Sequence, residues 1–397
     1  LRGDADEERH AGYGNGFDTV SYSSEAAAST ANLSDWVTVH GTSAGSDSLQ
    51  NCNRIIGTDL DDTFTVGEFF QSKFGEGSTT RGHSIRGGDG NDTINGSGNT
   101  QVDYADADGG VTVNLSAGTA TGAGVGTDTM TGVDAVIGST HDDQMTGGSA
   151  NGAETFRGGA GNDTSDGGAS VDRIDFRDVG ATQGVTVDLN LTTAIDGFGD
   201  TDTFSSIEWV TGTKHDDVLT GSDDDNRLRG AEGNDVIDGG DGTDTAEFTL
   251  AAASVTVDLS TGSALDGHGG TDTLIDIENV FGSYYGDEIT GDDNSNKLEG
   301  YWGDDTLTGG AGADTLIGGY GNDLLIGGTG NGADDDFDTA SYLPSASQAA
   351  SAGITVTMSS TSTVVGDALV GTDTLISIEN VRGTDFDDVF TADGTYD

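Results

Sequence analysis

From Val280 to Leu325 every ninth residue is apolar: Val280, Ile289, Leu298, Leu307, Leu316 and Leu325. A nine-residue step is neither the 3.6-residue period of a helix nor the two-residue alternation of a long strand. It is the mark of a repeat in which each unit sends one side chain inward. The same register runs through Val210, Leu219, Leu228, Ile237 and Ala246. It recurs with a two-residue insertion through Val136, Met145, Phe156, Ser165 and Ile174, and again at Ile55, Phe64, Ile85 and Ile94 around a longer insertion. Two residues ahead of most of these positions stands an acid or an asparagine. This column reads Asp62 and Asp92; Asp143, Glu154, Asp163 and Asp172; Asp217, Asn226, Asp235 and Asp244; Asp287, Asn296, Asp305, Asp314 and Asp323; and Asp388. Asp and Gly are ordinary turn residues, but turns in general hold no nine-residue register over several coils.

Composition sharpens the reading. The 397 residues include 67 Gly and one Pro, and glycine this dense opposes a helix at roughly 1 kcal/mol per residue relative to Ala. Only Ser24 to Ala31 resembles a helix, and it lies in an insertion. Acids outnumber Lys plus Arg by 70 to 14, for a formal net charge of −56. So many carboxylates in one body repel each other unless cations sit among them. The same charge argues against nucleic acid and against insertion into or docking on anionic membranes, which need basic surfaces. No apolar run approaches the roughly 20 residues of a membrane-spanning helix. One cysteine, Cys52, allows no intrachain disulfide. Low hydrophobicity and high charge also mark disorder; the registered apolar positions are what oppose that reading here.

A longer period of about 70 to 100 residues encloses the short one. Val111-Thr112-Val113-Asn114-Leu115 recurs as Val185 to Leu189, Val255 to Leu259 and Ile354 to Met358, with a weaker copy at Val37 to Val39. Each reads as a half-buried strand. The four full copies are each followed by a Thr-Asp-Thr step, at Asp128, Asp202, Asp272 and Asp373. The chain therefore divides into units at 1–102 (with insertions at 24–35 and 68–83), 103–175, 176–247, 248–338 with the longest nonapeptide run, and a partial unit at 339–397, all expected to form one continuous solenoid.

The chemistry is concentrated in one motif. Gly309-Gly310-Ala311-Gly312-Ala313-Asp314-Thr315-Leu316-Ile317 spells G-G-x-G-x-D-x-U-x, and Gly318 to Ile326 spells it again. Further copies start at Gly87, Gly158 and Gly239. This resembles the repeats-in-toxin (RTX) calcium-binding nonapeptide. The resemblance implies an all-β, right-handed parallel β-roll or β-solenoid with two nonapeptides per coil and Ca²⁺ in the glycine/aspartate turns. The physics agrees: glycines permit a tight turn at positive φ, the Asp aims a carboxylate at the turn, and x-U-x is a short strand with U inward. Residues 18 apart should stack, with Asp287, Asp305 and Asp323 in one column and Asn296 and Asp314 in the opposite one. Ca²⁺ takes six to eight oxygens at about 2.3–2.6 Å, which stacked carboxylates and loop carbonyls can supply. The expected ligands to multiple Ca²⁺ ions are Asp62, Asp92, Asp143, Asp163, Asp172, Asp217, Asp235, Asp244, Asp287, Asp305, Asp314, Asp323 and Asp388. Asp128, Asp202, Asp272 and Asp373 are either further ligands or turn-formers. Asn226 and Asn296 depart from the pattern, which makes their sites weak or empty. The resemblance also implies export through a type I secretion system of a Gram-negative bacterium, with folding outside the cell where calcium is plentiful.

Other signals are weaker. Gly41-Thr42-Ser43-Ala44-Gly45 matches a nucleophile elbow, but lacks the strand-to-helix setting that elbow needs. His141 and His215 occupy equivalent positions of two units, so homology explains them without a metal. Arg2-Gly3-Asp4 aligns with repeat residues, and Gly122 to Gly126 is followed by no helix. Tyr301, Trp302 and Tyr320 fall at loop positions and are expected on the surface; Phe69, Phe70 and Phe74 offer a candidate contact face. The expected function is non-enzymatic: an extracellular structural or adhesive protein of a surface layer, filament or adhesin. Its expected partners are calcium ions, further copies of itself end to end (both termini read as cut mid-coil) and cell-surface polysaccharide. The alternative is a secretion and folding module of a larger secreted enzyme or toxin.

Overall fold

A computed structural model describes residues 19–23, 29–33, 37–41, 45–49, 54–66, 83–148, 152–178, 180–328, 337–343, 351–358, 361–366 and 370–392. Every regular element among them is a β-strand, mostly of three to five residues. The chain forms two compact units, one of residues 1–74, 78–181 and 192–209, the other of 75–77, 182–191 and 210–397.

Each unit is a parallel β-roll of two sheets. In the first unit one sheet stacks Thr19–Ser21, Arg54–Ile56, His83–Arg86, Thr100–Asp103, Ala135–Ile137, Thr155–Arg157 and Arg173–Asp175, all parallel. In the second unit the nonapeptide run shows why nine is the step. Val280, Leu298 and Leu316 pair in register in one sheet, while Ile289, Leu307 and Leu325 pair in the other. Consecutive nonapeptides thus alternate between sheets and residues 18 apart stack, as the spacing predicts. All six side chains are fully buried, and the core is this double file of U residues. With one inward side chain per three-residue strand, backbone ladders and turns must carry much of the cohesion.

The second sheet of each unit holds a feature the period-2 segments only hinted at. Val111–Asn114, Thr119–Gly122 and Gly126–Thr131 form an antiparallel meander whose outer strands join parallel neighbours, Gly126–Thr131 beside Thr93–Asn95 and Val111–Asn114 beside Gln144–Thr146. Thr256–Asp258, Ser263–Leu265 and Thr271–Ile275 repeat this in the second unit, as do Thr355–Met358, Thr361–Val365 and Thr372–Ile376. The V-T-V strands of these three meanders are half-buried as expected, but each pairs antiparallel with the segment that follows it.

Three further expectations meet the structure here. Ser29–Leu33 is a strand paired with Val37–Gly41, so the end of the helix candidate is β; residues 24–28 lie outside the described residues. Gly41 and Gly45 face each other at the end of an antiparallel hairpin, which is no strand-to-helix elbow. Tyr301 is buried at 2 % exposure, packed between Phe281 and Tyr284, whereas Trp302 is exposed and Tyr320 half-buried. Tyr301 takes the place of a motif's second glycine and keeps its φ of 77°, which turns the side chain inward. Arg2-Gly3-Asp4, Cys52 and the Phe69, Phe70 and Phe74 insertion lie outside the described residues.

Candidate metal centres

The aspartates of the repeat stand in ladders. The backbone N–H of each donates to the carboxylate of the next coil. In the second unit Asp287 donates to Asp305 at 2.7 Å, Asp305 to Asp323 at 2.9 Å, and Asp323 to Asp373 at 2.9 Å. Asp217, Asp235 and Asp272 form a second ladder there. The first unit holds Asp62, Asp92 and Asp128, and Asp143, Asp163 and Asp202. The Thr-Asp-Thr aspartates are thus the last rungs of the same columns, a point the sequence left open. Asp388 starts another rung by accepting from the N–H of Ile354 at 2.8 Å.

Opposite ladders hold Glu154, Asp172 and Glu208; Asn226, Asp244 and Glu278; and Asn296, Asp314, Asp338 and Glu379. Asp134 does the same for Thr100. Asp134, Glu208, Glu278, Asp338 and Glu379 were missed by the sequence reading. Four of them stand two residues ahead of Val136, Val210, Val280 and Val381, so the two-residue rule finds them once it is carried across the seams. Asn226 and Asn296 keep their rungs: each accepts a loop N–H on Oδ1, and Asn296 also donates through Nδ2 to the Glu278 carbonyl.

Rungs are not equivalent, and the residue four before the acid decides the difference. At the column heads it is Thr58, Ser139, Thr213 or Ser283. Its N–H and hydroxyl both donate to Asp62, Asp143, Asp217 or Asp287, at 2.5 to 3.2 Å. Asp388 takes the hydroxyl of Thr384. These heads are satisfied inside their own turn. At the inner rungs it is Gly88, Gly159, Gly168, Gly240 or Gly319, with Ala231 and Tyr301 before Asp235 and Asp305, and no turn hydroxyl donates. There Oδ2 of Asp92, Asp163, Asp172, Asp235, Asp244, Asp305 and Asp323 is buried and accepts no hydrogen bond. A buried anionic oxygen without a donor is costly. A Cβ on Gly318 would overlap Asp323 Oδ2, and Gly158, Gly230 and Gly300 stand in the same relation to Asp163, Asp235 and Asp305. Gly57, Gly138, Gly212 and Gly282 stand likewise at the satisfied heads, so the glycine lets the carboxylate tuck against the turn in both kinds of rung, and the open rungs differ in their missing donor.

Electrostatics gives the same division. Burial, then repulsion from neighbouring rungs, pushes Asp92, Asp163, Asp235 and Asp323 up to about 8 and Asp305 up to about 9. The heads Asp217 and Asp287 rise by burial only to about 6, held down by the N–H and hydroxyl donors of Thr213 and Ser283. Burial and neighbouring rungs oppose ionisation of the open carboxylates, and a cation beside them favours it. Among the described residues no three acidic or imidazole groups close on one point. An ion in these turns therefore takes one or two carboxylates and fills its shell with loop carbonyls. Such carbonyls are at hand: those of Asp292, Asn294 and Tyr301 press on the positive-φ glycines Gly310, Gly312 and Gly319 of the next coil. Hard oxygens in flexible turns suit Ca²⁺ over metals that prefer sulfur or nitrogen.

At His141 and His215 the backbone N–H donates to the turn hydroxyl, of Ser139 and Thr213. The few cations work on the other sheet, where Arg86 pairs with Asp103, Arg157 with Asp175, and Arg229 with Glu247. Although Glu247 is fully buried, Arg229 and Arg227 hold it down at about 2.

The family model for the RTX calcium-binding nonapeptide repeat matches residues 84–100, 150–178, 211–246, 281–316 and 299–333. These segments contain the open rungs Asp92, Asp163, Asp172, Asp235, Asp244, Asp305 and Asp323. Over these segments the chain carries RTX calcium-binding nonapeptide repeats, and it folds as a parallel β-roll. Proteins with such repeats bind Ca²⁺ and are typically secreted by Gram-negative bacteria. No curated protein matches the chain.

Proposed function

We propose that this chain is an extracellular structural or adhesive scaffold, without enzymatic activity, that folds as Ca²⁺ enters its open rungs. The observation that carries the reading is the set of buried, donorless Asp oxygens in glycine cradles, repeated through both units. Without cations their repulsion opposes the ordering of so many short strands. With millimolar Ca²⁺, the range extracellular modules are tuned to, the same oxygens become the attachment points of the roll. A chain of this kind stays open in a cell low in free calcium, passes a type I secretion channel and folds outside. Parallel β-rolls also offer strand edges for end-to-end association with further copies, a contact that builds open filaments.

A polysaccharide-facing surface has a specific candidate. Tyr284, Trp302 and Tyr320, 18 residues apart, stack along successive coils with centroids 6.1 and 4.9 Å apart. Trp302, 44 % exposed, presents indole to solvent at the centre of this file. Aromatic faces of that kind pack on the apolar faces of sugar rings. Loss of a glycan-array signal in Trp302→Ala supports this surface, and an unchanged array removes it.

Far-ultraviolet circular dichroism during a Ca²⁺ titration tests the central reading. A coil-to-β transition with Ca²⁺ and none with equal Mg²⁺ is expected. A chain already fully β-structured in chelator at neutral pH overturns it.

A further inference from the structure

The last rungs of the ladders end in two different ways. In one kind a tyrosine hydroxyl closes the column: Tyr104 donates to Asp128 Oδ2 at 3.0 Å, and Tyr342 to Asp373 Oδ2 at 2.7 Å. Both tyrosines are buried. In the other kind the tyrosine is replaced by a buried phenylalanine, Phe176 ahead of Asp202 and Phe248 ahead of Asp272. No phenolic hydroxyl exists there. A second aspartate is present instead, six residues before the rung: Asp196 with Asp202, and Asp266 with Asp272. The equivalent of these by strand pairing is Gly122 at the Tyr104 seam and, one residue further from its rung, Gly366 at the Tyr342 seam. A proton donor and a small residue are exchanged together for an apolar ring and an additional carboxylate.

The added carboxylate is built in. Asp266 is 1 % exposed, and its Oδ1 accepts three backbone N–H groups, from His268, Gly269 and Gly270, at 2.8 to 2.9 Å. Asp196 repeats this with Phe198, Gly199 and Asp200. The loop thus clamps one oxygen and aims the other. Asp266 Oδ2 has no hydrogen-bond partner. A Cβ on Gly270 would stand 2.8 Å from that oxygen and would overlap the carbonyl oxygen of Gly233, so the carboxylate and the carbonyl face one spot. Asp235 and Asp272 both feel the charge of Asp266, and Asp235 Oδ2 also accepts no hydrogen bond. The nearby arginine pair does not answer this charge: Arg86 with Asp103 at the Tyr104 seam is the counterpart of Arg229 with Glu247, so it belongs to both kinds of ending.

We propose that the Phe248/Asp266 and Phe176/Asp196 endings are additional Ca²⁺ sites, distinct from the nonapeptide turns. Asp266 with Asp235 and the Gly233 carbonyl holds one ion, and Asp196 with Asp163 holds the other. At the Tyr104 and Tyr342 endings the hydroxyl does the work of the cation. This inference rests on the reading that the chain binds Ca²⁺ in its turns.

Equilibrium dialysis of the full chain against Ca²⁺, followed by metal analysis, counts the ions per chain. Asp266→Asn keeps the acceptor for the three loop amides and removes the charge. One ion fewer is expected in Asp266→Asn and in Asp196→Asn, and two fewer in the double variant. An unchanged count in the double variant, with the β signal of the parent, overturns the proposal. Should the double variant fail to gain β structure, the count is made on Phe176→Tyr/Asp196→Gly/Phe248→Tyr/Asp266→Gly, which installs the Tyr and Gly pair this chain itself carries at Tyr104 and Gly122. Two ions fewer with β structure intact supports the sites, and no change overturns them. A parent chain that binds no Ca²⁺ sinks the underlying reading too, whereas a loaded parent with unaltered variants sinks only the seam sites.

Discussion

The uninterrupted run from Val280 to Leu325 and the seam from Val111 to Thr131 solve one problem by different means. In the run, each rung reaches the next after 18 residues, Asp287 to Asp305 to Asp323. At the seam Asp92 reaches Asp128 across 36 residues, with an antiparallel meander inserted into the sheet in between. Both deliver an N–H to a carboxylate oxygen at 2.7 to 2.9 Å. What is held constant is the rung, while the length of chain between rungs varies. They differ in what answers the charge. Asp305 and Asp323 each keep an orphaned oxygen, whereas Asp128 receives the Tyr104 hydroxyl. The run therefore depends on a cation where the seam depends on a protein donor.

That contrast is most exposed to test by removing carboxylates. Asp305→Ala combined with Asp323→Ala should shift the Ca²⁺ midpoint of the circular dichroism transition upward by about tenfold or more, or abolish the transition, since about 1.4 kcal/mol is already tenfold. Asp128→Ala, which strands a tyrosine hydroxyl and removes no open site, should shift it about threefold or less. The reverse order would break the comparison.

Acidity sharpens it next. The open carboxyls Asp92, Asp163, Asp235, Asp305 and Asp323 titrate at about 8 to 9 in the fold, through burial and neighbouring rungs, against 3.8 for the free side chain. The folded state then binds more protons than the unfolded one. Its stability without Ca²⁺ is fullest below about pH 4 and falls as pH rises through about 8. In chelator, β structure should grow as pH is lowered from 8 towards 4, and at pH 8 Ca²⁺ should restore it. A chelated chain insensitive to pH over that window would show that the open rungs carry no such penalty.

Smaller effects come from the cradle and the backbone. Gly318→Ala places a methyl on Asp323 Oδ2 and should cost about 1–3 kcal/mol in urea unfolding with Ca²⁺ present. Gly152→Ala, which meets nothing within 4 Å and lies outside the positive-φ set, should stay within about 0.5 kcal/mol. A small effect of the opposite sign is expected at Ala231, a non-glycine residue at φ 78° in a motif's second-glycine position. Ala231→Gly relieves that strain and should stabilise the Ca²⁺-loaded chain by about 0.5–1 kcal/mol, read as a small rise in melting temperature.

Much of this was legible in the residues. The nine-step alternation placed Val280, Leu298 and Leu316 on one sheet and Ile289, Leu307 and Leu325 on the other, and the structure pairs them so. The columns Asp287–Asp305–Asp323 and Asn296–Asp314 stood as the 18-residue spacing requires. Tyr301 was misplaced because a loop position was equated with exposure, whereas its positive φ turns the ring onto Phe281. Asp134, Glu208, Glu278 and Glu379 were missed because the rule was stopped at the seams.

The sequence by itself determined the coil, its period and which residues form the acidic columns, because each nonapeptide carries its own turn, strand and inward side chain within nine residues. The tertiary structure decided which carboxylate oxygens are satisfied and which are left open. That depends on donors arriving from elsewhere in the chain, the Tyr342 hydroxyl on Asp373 across 31 residues and the Asp323 amide on the same side chain across 50. A local repeat encodes the position of an oxygen, but only the stacked coils determine what faces it.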